Sequence, residues 1–131
     1  MFALPLIYLY TPLMSADECL FCSIVSKTEP ASILLELEDF IVIQNKYPKA
    51  PVHLLILDKK HNEKFDTISG GNVDPLYWGK VMSAVSQALK LVGLEKTGDY
   101  ELVCNGPSYA HFQHQHIHIL GKYNDSVGAR T

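Results

Sequence analysis

Apolar and polar positions along this chain follow two rhythms, a period of two in short runs and a period near 3.6 in one long run. Residues 33–37 and 40–44 are β-rich runs around Glu38-Asp39, which predicts a hairpin. Residues 52–57 are almost continuously apolar, as expected of a central strand covered on both faces. Asp74-Pro75 supplies an N-cap and a first-turn proline, and a helix to about Val92 carries Leu76, Val81, Val85, Ala88, Leu89 and Val92 on one stripe. Gly93 is placed to end it. Residues 100–104 and 114–122 predict the last strands. Residues 19–26 read as a knuckle and short helix stopped near Pro30. Residues 45–51, with Pro48 and Pro51, and 69–72 read as loops. The pattern is α+β: an antiparallel sheet of about five strands, one long helix on one face, and a short N-terminal helix.

Size allows one core, since 131 residues at 47% apolar content hardly build two. Residues 15–131 form the expected single domain. Residues 1–14 are apolar but interrupted by Pro5 and Pro12, too short for a span of about 20 residues, and lack the positive start of a secretory signal. They read as a disordered or non-native extension before Met14. No membrane association is expected. A net charge of −3 gives no broad basic field, which argues against duplex nucleic acid as a partner. Three cysteines make no disulfide framework, and a reducing, cytoplasmic setting is expected.

The chemistry concentrates near the C-terminus. His114, His116 and His118 recur at a spacing of two, so a strand would present all three imidazoles on one face and Ile117 and Ile119 on the other. A neutral imidazole attacks phosphorus without first losing a proton. With flanking imidazoles to donate to phosphate oxygens, the middle residue, His116, is the natural nucleophile. Cys19 and Cys22 have the spacing of a zinc knuckle, whereas a redox pair would call for a βαβ context that is missing here.

The segment His114-Gln115-His116-Ile117-His118-Ile119-Leu120 resembles the signature of the histidine triad (HIT) family, in which three histidines alternate with apolar residues. Gln115 departs from that pattern. Cys19-Leu20-Phe21-Cys22-Ser23-Ile24-Val25, Asp39-Phe40-Ile41-Val42-Ile43 and the segment from Pro48 to His61 follow in the family's order. The resemblance implies a HIT-like fold and a hydrolase that forms a nucleotidyl intermediate on His116. His118 would hydrogen-bond phosphate oxygens. His53 would lie close to the triad, Asn45 would contact ribose, and Asn105 the substrate phosphate. It also implies a structural zinc held by Cys19, Cys22, His61 and His114, with no open coordination position. Ala110-His111-Phe112 stands where the family usually carries Gly-Gln-Ser/Thr, and His111 is the candidate replacement donor.

The substrates so implied are purine nucleoside 5′-phosphoramidates or related nucleoside monophosphate esters. A dinucleoside polyphosphate hydrolase and a nucleotide-binding adaptor with little turnover are the alternatives. A homodimer of about 29 kDa, twice the 14.7 kDa chain, is expected, because Tyr77, Trp78 and Met82 give the long helix a second apolar patch.

Overall fold

A run of apolar residues buried on both sides, β3 (Val52–Asp58), is the axis of the molecule. A computed structural model describes residues 18–123; the extension expected at 1–14 lies outside the described residues. Before β3 come α1 (Leu20–Val25), β1 (Ile33–Glu36) and β2 (Phe40–Gln44). After it come a single wide, π-type turn (Phe65–Ser69), α2 (Tyr77–Leu91), β4 (Tyr100–Val103) and β5 (His116–Gly121). One sheet runs in the order β1-β2-β3-β5-β4, with every neighbouring pair antiparallel. This is the α+β architecture expected from the pattern. No helix among the described residues is long and apolar enough to cross a membrane.

The two faces of the sheet have different covers. Val42, Leu54, Ile56, Ile117 and Ile119 pack under α2, which contributes Val81, Ala84, Val85, Ala88 and Leu89. Ile41, Ile43, Leu55 and Leu57 face the other way, toward Phe21 and Ile24 of α1. Truncating a fully buried residue such as Ile119 to Ala would cost about 2–5 kcal/mol. α2 ends as the sequence asks. Gly93 takes φ +76°, its N–H reaches Lys90 O, and Leu94 N–H reaches back to Leu89 O, a Schellman closure.

Several boundaries differ from the expectation. Asp74 closes a tight turn instead of capping the helix: its Oδ1 accepts from Leu76 N–H at 2.7 Å and its carbonyl from Tyr77 N–H at 2.9 Å. α2 therefore begins at Tyr77, and Leu76, expected on the core stripe, is 68% exposed. Tyr77 is buried in the core and does not belong to an outer patch, because its hydroxyl donates to Asp58 Oδ2 at 2.7 Å. Cys104 lies beyond β4 and is exposed, since the chain leaves the sheet toward Gly106-Pro107. The last strand begins at His116. His114 precedes it and makes an isolated bridge with Glu63.

Candidate active site and metal cluster

Pairing between β3 and β5 sets the histidine face. Leu57 lies opposite His116 and Leu55 opposite His118, so both imidazoles share the face of α1. His53 is opposite Leu120 and therefore diagonal to His118, within reach of a ring. The hydrogen-bond network assigns the ring protons. His116 Nδ1 lies 2.8 Å from the carbonyl oxygen of His114, so Nδ1–H donates and the lone pair sits on Nε2. The backbone N–H of Lys49 donates to His53 Nδ1 at 3.0 Å, which places the proton of His53 on Nε2. That Nε2–H points at His118 Nδ1, 2.9 Å away, so His118 carries its own proton on Nε2. One ring presents an unprotonated nitrogen and its neighbour a donor.

Burial favours the neutral forms. It pushes His116 and His118 down from 6.5 to about 4, and lowers His53 in the same direction. The His116 ring meets Phe21 edge-on at 5.0 Å between centroids, and Phe112 lies 4.7 Å from Phe21. These two aromatic walls escape a reading based on hydrogen-bonding side chains, although Phe21 sits inside the Cys-x-x-Cys and Phe112 just before the triad.

Of the remaining predicted residues, Asn45 touches this centre directly. Asn45 accepts from the Tyr47 N–H at 2.9 Å through Oδ1, which turns its amide nitrogen to His53 Nε2 at 3.1 Å, a donor-to-donor contact in this proton order and not a hydrogen bond. His111 is exposed on the loop before β5, its ring 5.5 Å from Phe112. Asn105 is half-buried just after β4. Two residues with no predicted role, Lys64 and Gln115, are both 0% exposed directly beside His116. Gln115 was visible in the sequence as a departure from the apolar pattern; Lys64 gave no signal.

Cys19, Cys22, His61 and His114 form a second cluster, their ligand atoms all within 4.8 Å of one another. Cys19 Sγ and Cys22 Sγ each lie 3.4 Å from His114 Nδ1; Cys22 Sγ and His114 Nδ1 are both 3.2 Å from His61 Nδ1. A zinc tetrahedron with bonds near 2.3 Å to sulfur and 2.0–2.1 Å to nitrogen has edges of about 3.3–3.6 Å for these atom pairs. The four residues fit such an ion. Both rings also turn Nε2 to an acceptor, His114 to the Asp58 carbonyl at 2.6 Å and His61 to Glu63 Oε2 at 3.2 Å, which commits Nδ1 to the cluster. Burial and the neighbouring Cys19 thiol push Cys22 up to about 11, so a metal would displace its proton on binding.

On the opposite face, a cleft of about 640 Å³ opens beside α2, lined by Asp39, Asp58, Lys60, Asn62, Tyr77 and Lys80 among others. No histidine lines it.

Comparison with known proteins places the chain in a family. Residues 18–131 match the family model described as "Scavenger mRNA decapping enzyme C-term binding". Protein HitA of Neisseria gonorrhoeae is 34% identical over 110 residues, 80% of this chain and 96% of that protein. The chain belongs to the histidine triad family. This histidine triad protein is also 28% identical over 107 residues to an adenosine 5′-monophosphoramidase of Danio rerio, covering 81% of the chain and 66% of the relative. The crystal structure of a HIT family hydrolase from Legionella pneumophila superposes with a TM-score of 0.71 at 28% identity, covering 85% of this chain and 99% of that one.

Proposed function

We propose that this histidine triad protein hydrolyses purine nucleoside 5′-phosphoramidates or related nucleoside monophosphate esters through a nucleotidyl intermediate on His116. The observation that carries this reading is the His116 ring itself: Nδ1 is committed to the His114 carbonyl at 2.8 Å, and burial holds the imidazole neutral with its lone pair on Nε2. Nε2 attacks the α-phosphorus, a nitrogen–phosphorus bond forms, and the bond to the leaving group breaks with its electron pair. The leaving amine or alkoxide takes a proton, for which exposed His111 is the candidate donor. Water then attacks the nucleotidyl-histidine: its oxygen bonds to phosphorus as the nitrogen–phosphorus bond breaks, its proton restores the donor, and the nucleoside monophosphate leaves His116 in its neutral form. His118 Nε2–H donates to a phosphate oxygen as negative charge develops. Asn45 and Asn105 are assigned to ribose and phosphate. The relative named as an adenosine 5′-monophosphoramidase favours this substrate class over a dinucleoside polyphosphate.

Brief incubation with an AMP-amine conjugate, acid quench and peptide mass analysis tests the reading. An adenylated peptide spanning His116 is the expected result. Turnover without any adduct, or undiminished turnover in His116→Ala, would defeat it.

Zinc is the metal that the donor set fits, two thiols and two imidazoles in tetrahedral spacing. With four protein ligands it would act as a staple, tying the start of α1 to the segment that follows β3 and to the entry of the catalytic strand β5. A two-fold dimer is the proposed assembly, through the α2 surface that exposes Trp78 and Met82 and the outer edge of the sheet among the described residues, β4, where Leu102 is exposed.

A further inference from the structure

We propose that Lys64 is a positioning residue for His116: its ammonium grips the main chain of the nucleophile where the neighbouring edge strand has run out. The inference rests on His116 being the nucleophile. Pairing between β4 and β5 stops at Val103 opposite His118, so the start of β5 projects past its edge partner. On the β3 side, Asp58 N–H donates to the Gln115 carbonyl at 3.2 Å. Peptide groups of successive strand residues point to alternate sides. The N–H and C=O of His116 therefore face the side that β4 no longer covers, and both are buried and need partners.

Two side chains supply them. Lys64 Nζ donates to the His116 carbonyl at 3.0 Å and to Gln115 Oε1 at 2.7 Å. The same Oε1 accepts the His116 N–H at 3.1 Å. The three bonds close a ring around the nucleophile's peptide groups, with Lys64 and Gln115 both fully buried. Lys64 is anchored in turn, its own N–H donating to the Gln113 carbonyl at 2.9 Å.

A buried ammonium held by two neutral acceptors is costly to keep, and an apolar residue at position 64 would pack without that cost, whereas an apolar residue at position 115 alone would strand both the ammonium and the His116 N–H. Gln115, the departure from the triad's apolar pattern, and Lys64 thus account for each other. The link to chemistry is short. The His116 ring is oriented by the bond from its Nδ1 to the His114 carbonyl, and the chain between those two residues is the stretch that the clamp holds.

The test compares wild type with Lys64→Met, Gln115→Met, the double variant, Lys64→Arg and His116→Ala. Turnover of an AMP-amine conjugate and hydrogen exchange at the His116 amide are measured in each. Misplacing a reacting group by an ångström costs up to about a hundredfold. Lys64→Met should accordingly lower kcat about tenfold or more while KM stays within about twofold. Its His116 amide should exchange faster, and Lys64→Arg should recover part of kcat. The double variant should be little worse than either single one, because both act on one clamp. Folded Lys64→Met with wild-type kcat and amide protection, beside inactive His116→Ala, overturns the role of Lys64 alone. Multiplying losses in the double variant overturn it as well. Equal turnover in wild type and His116→Ala removes the nucleophile reading, and the positioning role with it. If Lys64→Met does not fold, Gln115→Met reads the same clamp from its other end.

Discussion

His53 Nε2 and His118 Nδ1 stand 2.9 Å apart, and that contact decides which nitrogen of His118 can face a substrate. The proton order begins at the backbone N–H of Lys49 and passes through the His53 ring, leaving a donor at His118 Nε2. His53→Ala frees the His118 ring to adopt either tautomer. The expected result is a loss of about tenfold to a hundredfold in kcat, with the adduct still forming on His116. Unchanged kcat in His53→Ala would mean that His118 needs no such partner.

His116→Ala should abolish adduct formation and lower turnover by about a thousandfold or more, as removal of a covalent nucleophile does. His111→Ala should cost at most about a hundredfold, the lower end of general-acid effects, and should be milder for substrates whose leaving group needs no proton. Steady-state kinetics with a poor and a good leaving group separates the two.

Acid should weaken both activity and fold. His116 and His118 sit at about 4 in the folded chain and return toward 6.5 on unfolding, so between these values the unfolded chain binds more protons. Their contribution is fully present above about pH 6.5 and is lost as pH falls toward 4. Asp58 acts in the opposite sense: burial raises it from 3.8 to about 6, so its contribution declines as pH rises through that window. Two histidines outweigh one carboxyl, and the thermal midpoint should rise from pH 4.5 to about 6.5 and then level. A midpoint that falls with pH over that range would contradict the assignment.

Purified protein supplied with zinc should carry close to one ion per chain. Cys22→Ser should lose it and melt at lower temperature, while a chelator should lower the midpoint of wild type and leave Cys22→Ser unmoved. Because Cys22 binds metal as a thiolate, affinity should weaken with acid. Metal analysis together with calorimetry reads both effects.

Trp78→Glu places a charge on the α2 surface, where Trp78 is 37% exposed and its ring leans edge-to-face on the core residue Tyr77. Light scattering should report about 29 kDa for wild type, twice 14.7 kDa, and about half that for Trp78→Glu. A wild-type monomer at micromolar concentration would remove the dimer proposal.

Much of this protein is written in local pattern. The β3 run, the α2 stripe around Val81, Val85, Ala88 and Leu89, and the stop at Gly93 follow from periodicity and backbone preference, which act over a few residues. The alternation of His116 and His118 with Ile117 and Ile119 likewise fixes which side chains share a face. What the pattern misplaced lies at ends, where one long-range contact outweighs local preference. The bond from Tyr77 to Asp58 pulls Tyr77 into the core, and the bridge to Glu63 holds His114 outside the last strand. Tertiary structure alone decided the proton order from Lys49 through His53 to His118, the tetrahedral convergence of residues 19, 22, 61 and 114, and the placement of Lys64 behind His116. Each of these joins segments far apart in the chain. Their geometry is set by how β3, β5 and α1 pack together, and no rule confined to neighbouring residues contains it.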